Sequence, residues 1–83
     1  MKKRLAALIK IAGTLGLAQI DLDTATEFLF HQEYGLCFDT IVTQMDENNI
    51  HIDVSTYEAI SEVAKALKIN AEDYSYIKDL IIN

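Results

Sequence analysis

Apolar residues recur along this chain at spacings of three and four, the period of an amphipathic α-helix. Leu5, Leu8, Ile9 and Ala12 form the first stripe and predict a helix over Lys2–Thr14, with Gly13 and Gly16 as stop signals. Leu15 and Leu17 are expected to cap the core at that end. A second helix is expected from Ala18 or Asp21 to Gln32, its inner face made of Leu22, Ala25, Leu29 and Phe28. Asp21 and Asp23 near its start favour the positive end of the helix dipole. Phe30 falls off that stripe; it is expected to be covered as part of a second buried face, and becomes a contact candidate if it is not.

Phe38, Ile41, Val42 and Met45 make the third stripe and predict a helix from Tyr34 to Glu47. A tight turn is expected at Tyr34-Gly35, where glycine takes a backbone conformation that a Cβ penalises. So short a turn makes the second and third helices antiparallel neighbours. Ile50 and Ile52 then alternate with His51 and Asp53. That pattern suits a strand, but a lone strand has nothing to pair with in a bundle, so an extended connector is expected. Ser55 as N-cap and Glu58 at the third helical position form a capping box that opens a fourth helix. Its core face is Ile60, Val63, Ala64 and Leu67, and it is expected to end near Lys68. A fifth helix is expected after Asn70, with Glu72 and Asp73 in its first turn and Tyr74, Ile77, Leu80 and Ile81 inward. The fold predicted is an all-α, single-domain bundle of four to five short helices spanning residues 1–83.

Composition agrees with that reading. The chain has no proline and three glycines, and is 51% hydrophobic, which favours a packed helical domain over disorder. The net charge of −6 is unevenly spread: Lys2, Lys3, Arg4 and Lys10 precede Ile11, and from there on only Lys65, Lys68 and Lys78 stand against all thirteen acids. Such a body repels nucleic acid and anionic membranes and attracts a basic partner, although solubility alone would also account for it. The start, Met1-Lys2-Lys3-Arg4 before Leu5-Ala6-Ala7-Leu8-Ile9, imitates a signal peptide. Lys10 breaks the apolar run too early, and the helical stripe predicts a retained amphipathic helix and a cytoplasmic protein. No run approaches the ~20 apolar residues of a membrane span.

Catalytic and cofactor chemistry finds little support. The one cysteine, Cys37, lies on the apolar face of the third helix and reads as a small buried side chain, not a nucleophile. His31 and His51 have no partner at metal-ligand spacing. There is no glycine-rich phosphate loop and no basic patch interleaved with aromatics. An enzyme is therefore not expected, nor a cofactor, a metal site or direct nucleic-acid binding. An acyl carrier matches in size, acidity and helix content, but needs an exposed serine in an Asp-Ser-Leu-type motif. Asp53-Val54-Ser55 carries an inserted residue and no following leucine, and Ser55 is accounted for as a helix cap.

The run Glu33-Tyr34-Gly35-Leu36, the helix ending in Asp46-Glu47, the Ile50-His51-Ile52 connector and the Ser55–Glu58 helix start resemble the MafI family of bacterial immunity proteins. The resemblance runs from about Leu15 to Leu80; where the family often carries proline before isoleucine, this chain has His51-Ile52. It implies a small helical protein that binds and silences one cognate bacterial toxin. Many such toxins are nucleases with basic clefts, to which an acidic surface would be steered. The expected contact face is the end of the third helix, the connector and the front of the fourth helix: Asp46, Glu47, His51, Asp53, Tyr57 and Glu58, with Glu33 and Tyr34 as outliers. Tyr57 is the expected anchor, since aromatic residues are enriched among binding hot spots. The alternative is a small acidic adaptor or regulatory domain serving another protein.

Overall fold

The computed structural model describes Met1–Ile82 and turns each predicted stripe into a helix: α1 (Lys2–Thr14), α2 (Gln19–Phe30), α3 (Tyr34–Glu47) and α4 (Val54–Ala66). Two 3-10 segments follow, Ala71–Asp73 and Ser75–Leu80. The fold is all-α. Its shortest dimension, 18 Å, leaves room for two layers of helices about 8–10 Å apart. α2 and α3 form an antiparallel hairpin; α1 packs across both and against α4.

The core takes Leu5, Leu8 and Ala12 from α1, Ala25 and Leu29 from α2, and Cys37, Phe38, Ile41, Val42 and Met45 from α3. α4 adds Ile60, Val63 and Ala64. α1 is thus a structural member of the fold, with Leu5 fully buried. Among the described residues, no charged side chain is buried.

The helix ends explain the corners. In all four, the second residue beyond the helix has positive φ, its amide bonds back three residues, and the next amide bonds back five. At α1 these are Gly16 to Gly13 and Leu17 to Ala12; at α3, Asn49 to Asp46 and Ile50 to Met45. This double closure satisfies carbonyls that the helix leaves open. Gly16 (φ 112°) is the residue suited to it; Gln32 (60°), Asn49 (52°) and Lys68 (60°) take the same role with a side chain. The turn expected at Tyr34-Gly35 is therefore displaced: the chain reverses at His31–Glu33 around Gln32, and Gly35 lies inside the first turn of α3. Gly13 likewise lies within α1, and Leu15 is 37% exposed while Leu17 alone covers the core there.

Three further expectations are corrected. The N-cap of α4 is Asp53, not Ser55: Asp53 is extended (φ −100°, ψ 173°) and its Oδ1 accepts from the Thr56 amide at 2.7 Å. Ser55 and Glu58 then lie inside the helix, exposed, and form no capping box. Ser55 is therefore no helix cap, and Asp53-Val54-Ser55 departs from a carrier motif by its inserted Val54 and the lack of a following leucine. The connector does find a strand partner, but in the C-terminal segment and not in a sheet. Ile52 and Ile81 form an isolated parallel bridge, with the Ile52 amide donating to Leu80 (3.0 Å) and its carbonyl accepting from Ile82 (2.9 Å). The fifth helix is 3-10 and is broken at Tyr74 (φ −142°). A period of three places Tyr74, Ile77 and Leu80 on one side, and all three are buried. Ile81, which an α-helix would bring inward, is only half-buried. Tyr74 meets Phe38 edge-on at 6.0 Å, and its Oη lies 2.8 Å from Ser61 Oγ, tying this segment to α3 and α4.

Candidate functional site

The last turn of α3, the connector and the first turns of α4 follow one another without a break, so Asp46, Glu47, His51, Asp53, Tyr57 and Glu58 share one end of the molecule. All are exposed except Tyr57, which is half-buried. Only the apolar residues of this segment turn in: Ile52 is 1% exposed and Ile50 is half-buried against the core. The backbone bonds of Ile50 and Ile52 therefore fix a connector whose polar side chains face water.

Two of these residues also hold the fold. Hydrogen bonding to Thr56, through its side chain and then its backbone amide, keeps the Asp53 carboxyl below its ordinary value. Asp53 thus caps α4 while its carboxylate stays exposed. The ring of Tyr57 lies 6.1 Å from that of Tyr74, and Lys78 Nζ sits 5.8 Å from the Tyr57 centroid, within cation–π range. Burial, and secondarily Tyr74, pushes the Tyr57 phenol up. Tyr57 is thus half committed to internal packing. Asp46, Glu47, His51 and Glu58 make no side-chain contact that the fold requires.

Glu33 and Tyr34 stand apart. They open α3, whose 14 residues at about 1.5 Å each separate them from Glu47 by roughly 20 Å. They belong to the α2–α3 corner, with Phe30. That residue is the clearest departure from expectation: it is 78% exposed and uncovered by α1. Ile20, on the same outer side of α2, is 74% exposed. Helical spacing placed Phe30 off the core stripe; only the positions of neighbouring helices decide whether such a residue is covered.

The groups considered for catalysis do not converge. Cys37 is fully buried, and burial pushes its thiol up to about 11. His31 and His51 are exposed, His31 with its ring edge-on to Phe30 at 6.1 Å. Among the described residues, no group of three or more His, Cys, Asp or Glu is placed to hold a metal ion. A cleft of about 210 Å³ between α1 and α4, lined in part by Arg4, Ile11 and Glu62, is smaller than the ~300 Å³ at which small-molecule sites begin. A hollow of about 340 Å³ runs along Ala7, Ile11 and Leu15, but its walls come from α1 and the residue after it, so nothing closes over a ligand. Among the described residues, no helix is long and apolar enough to cross a membrane.

No family model matches the chain, and no curated protein or solved structure matches it.

Proposed function

We propose that this chain is a cytoplasmic immunity protein that binds and neutralises a cognate bacterial toxin, a nuclease, by laying its acidic surface over the toxin's basic substrate cleft. It acts by occupying the toxin and performs no reaction of its own. The observation that carries this reading is the ordered acidic end: Asp46, Glu47, Asp53 and Glu58 all face solvent around a connector held by the backbone hydrogen bonds of Ile50 and Ile52. No lysine or arginine occurs between Lys10 and Lys65 in the sequence, and Lys78 is the cation placed beside this end, over Tyr57. A charged surface held rigid loses little conformational entropy on binding and steers an oppositely charged partner. The resemblance to the MafI family in the Glu33–Glu58 segment supplies the class of partner.

The test is co-purification with a nuclease toxin domain encoded beside this chain's gene, followed by a nuclease assay. A stoichiometric complex in which cleavage stops supports the reading. A complex that leaves cleavage intact would make the chain an adaptor instead, and full nuclease activity in excess protein without a complex would refute the pairing.

A further inference from the structure

The α2–α3 corner carries three features that the fold does not account for. Phe30 presents its ring to water at 78% exposure, the largest value among the exposed apolar side chains, with His31 edge-on beside it. Leu36, in the first turn of α3, is 48% exposed. Between them in sequence is Gly35, which has helical backbone and no positive φ, so its conformation does not call for glycine. A Cβ built there meets nothing within 4 Å, so packing does not call for glycine either. A glycine weakens a helix, and one physical use for it where the fold asks for none is close approach of another molecule to the backbone.

Within α2 and α3, the charge at the corner is of one sign. Glu27, one turn before Phe30, and Glu33, at the turn, are both exposed, and α2 and α3 contain no lysine or arginine. We infer that the α2–α3 corner is an interaction surface for a basic protein: Phe30 enters an apolar pocket, the partner's backbone closes over Gly35, and cationic side chains meet Glu27 and Glu33. An aromatic anchor inside a charged rim is the usual anatomy of a binding hot spot. A second copy of this chain fits less well, because two such corners meeting about a two-fold axis would bring their glutamates together. The inference rests on the reading of this chain as a binding protein and gives Glu33 and Tyr34 a place that the acidic end does not.

The test uses the labelled chain, amide chemical shifts and two probes: the nuclease toxin domain encoded beside the gene, and a synthetic leucine–lysine amphipathic helix. Phe30→Ala and Gly35→Gln are the variants, since neither side chain meets the core. Shifts centred on Phe30, Gly35 and Leu36, with binding at least tenfold weaker in both variants at unchanged or raised melting temperature, support the inference. Loss of affinity with gain of stability in Gly35→Gln is a signature that a structural glycine would not give. A toxin complex whose shifts stay within residues 46–58, with both variants binding as wild type, overturns the corner and leaves the immunity reading standing. Corner shifts with the peptide but no toxin complex support the corner and reject the toxin. No binding of either probe rejects the corner, and so does self-association that Phe30→Ala abolishes.

Discussion

The Ile52 carbonyl accepts from the Ile82 amide at 2.9 Å, joining the acidic connector to the C-terminal segment. Ile52 is 1% exposed, so that oxygen has no ready substitute in water. Ile82→Pro removes the donor, whereas Ile82→Ala keeps it and trims a largely exposed side chain. The proline variant is expected to lose about 1–2 kcal/mol, the cost of stranding a buried acceptor. In a domain of this size that lowers the melting temperature by roughly 4–15 °C. The alanine variant should change little, and equal losses in both would assign the effect to the side chain.

Two glycines should respond oppositely to alanine. Gly16 closes α1 at φ 112°, a region that L side chains rarely adopt, so Gly16→Ala is expected to cost about 1–2 kcal/mol. Gly35 is helical with open space at its Cβ, so Gly35→Ala should stabilise by about 0.5 kcal/mol through the unfolded chain. Denaturant midpoints measure both. A destabilised Gly35→Ala would mean that the corner needs glycine for folding and would weaken its assignment to a partner.

Asp53 ties helix formation to pH. Its folded pKa lies below the unfolded value, so the stability it contributes is present above the unfolded carboxylate range and is lost as pH falls through the folded pKa. Carboxyl shifts followed by NMR should place Asp53 below an ordinary aspartate. Asp53→Asn, which still accepts a hydrogen bond, should keep α4 capped but remove this acid-side dependence, while Asp53→Ala should lose the cap at every pH. An ordinary Asp53 titration would contradict the cap geometry.

Cys37 should report unfolding. With the side chain enclosed and the thiol pushed up to about 11, the thiolate is scarce near pH 8 and the sulfur is out of reach. Labelling by a disulfide reagent is expected to be slow in the native protein and to accelerate with denaturant along the unfolding transition. Prompt labelling of the native chain would mean that α3 opens readily.

The helices were legible because their stripes are the core: Phe38, Ile41, Val42 and Met45 were identified by spacing and all are buried. The corners were less so. Glycine marks the end of α1, but Gln32, Asn49 and Lys68 adopt the same left-handed geometry without announcing it, and the glycine in Tyr34-Gly35 pointed past the turn, which is centred on Gln32. Asp53 and Ser55 are both good caps two residues apart, and the choice between them depends on where the connector is held. That in turn depends on Ile52 pairing with a segment about thirty residues away, a non-local contact no local pattern encodes. Tyr74, Ile77 and Leu80 fit a 3-10 period, but the inclusion of Ile81 made an α-helix look equally good. At the candidate site, the solvent exposure of Asp46, Glu47, His51, Asp53 and Glu58 followed from their polarity, while that of Phe30 ran against its character.

The central claim is that an ordered acidic surface draws this protein onto a basic toxin. The most direct measurement is the association rate with the nuclease toxin domain encoded beside the gene, taken across ionic strength. It compares wild type with the triple variant Asp46→Lys, Glu47→Lys, Glu58→Lys, whose residues have no internal role. For wild type, association should be fast and fall steeply with salt; in the variant it should be slower by about tenfold or more with a shallower salt slope, the dissociation rate changing less. A wild-type rate indifferent to salt and unchanged by the triple reversal would contradict the account.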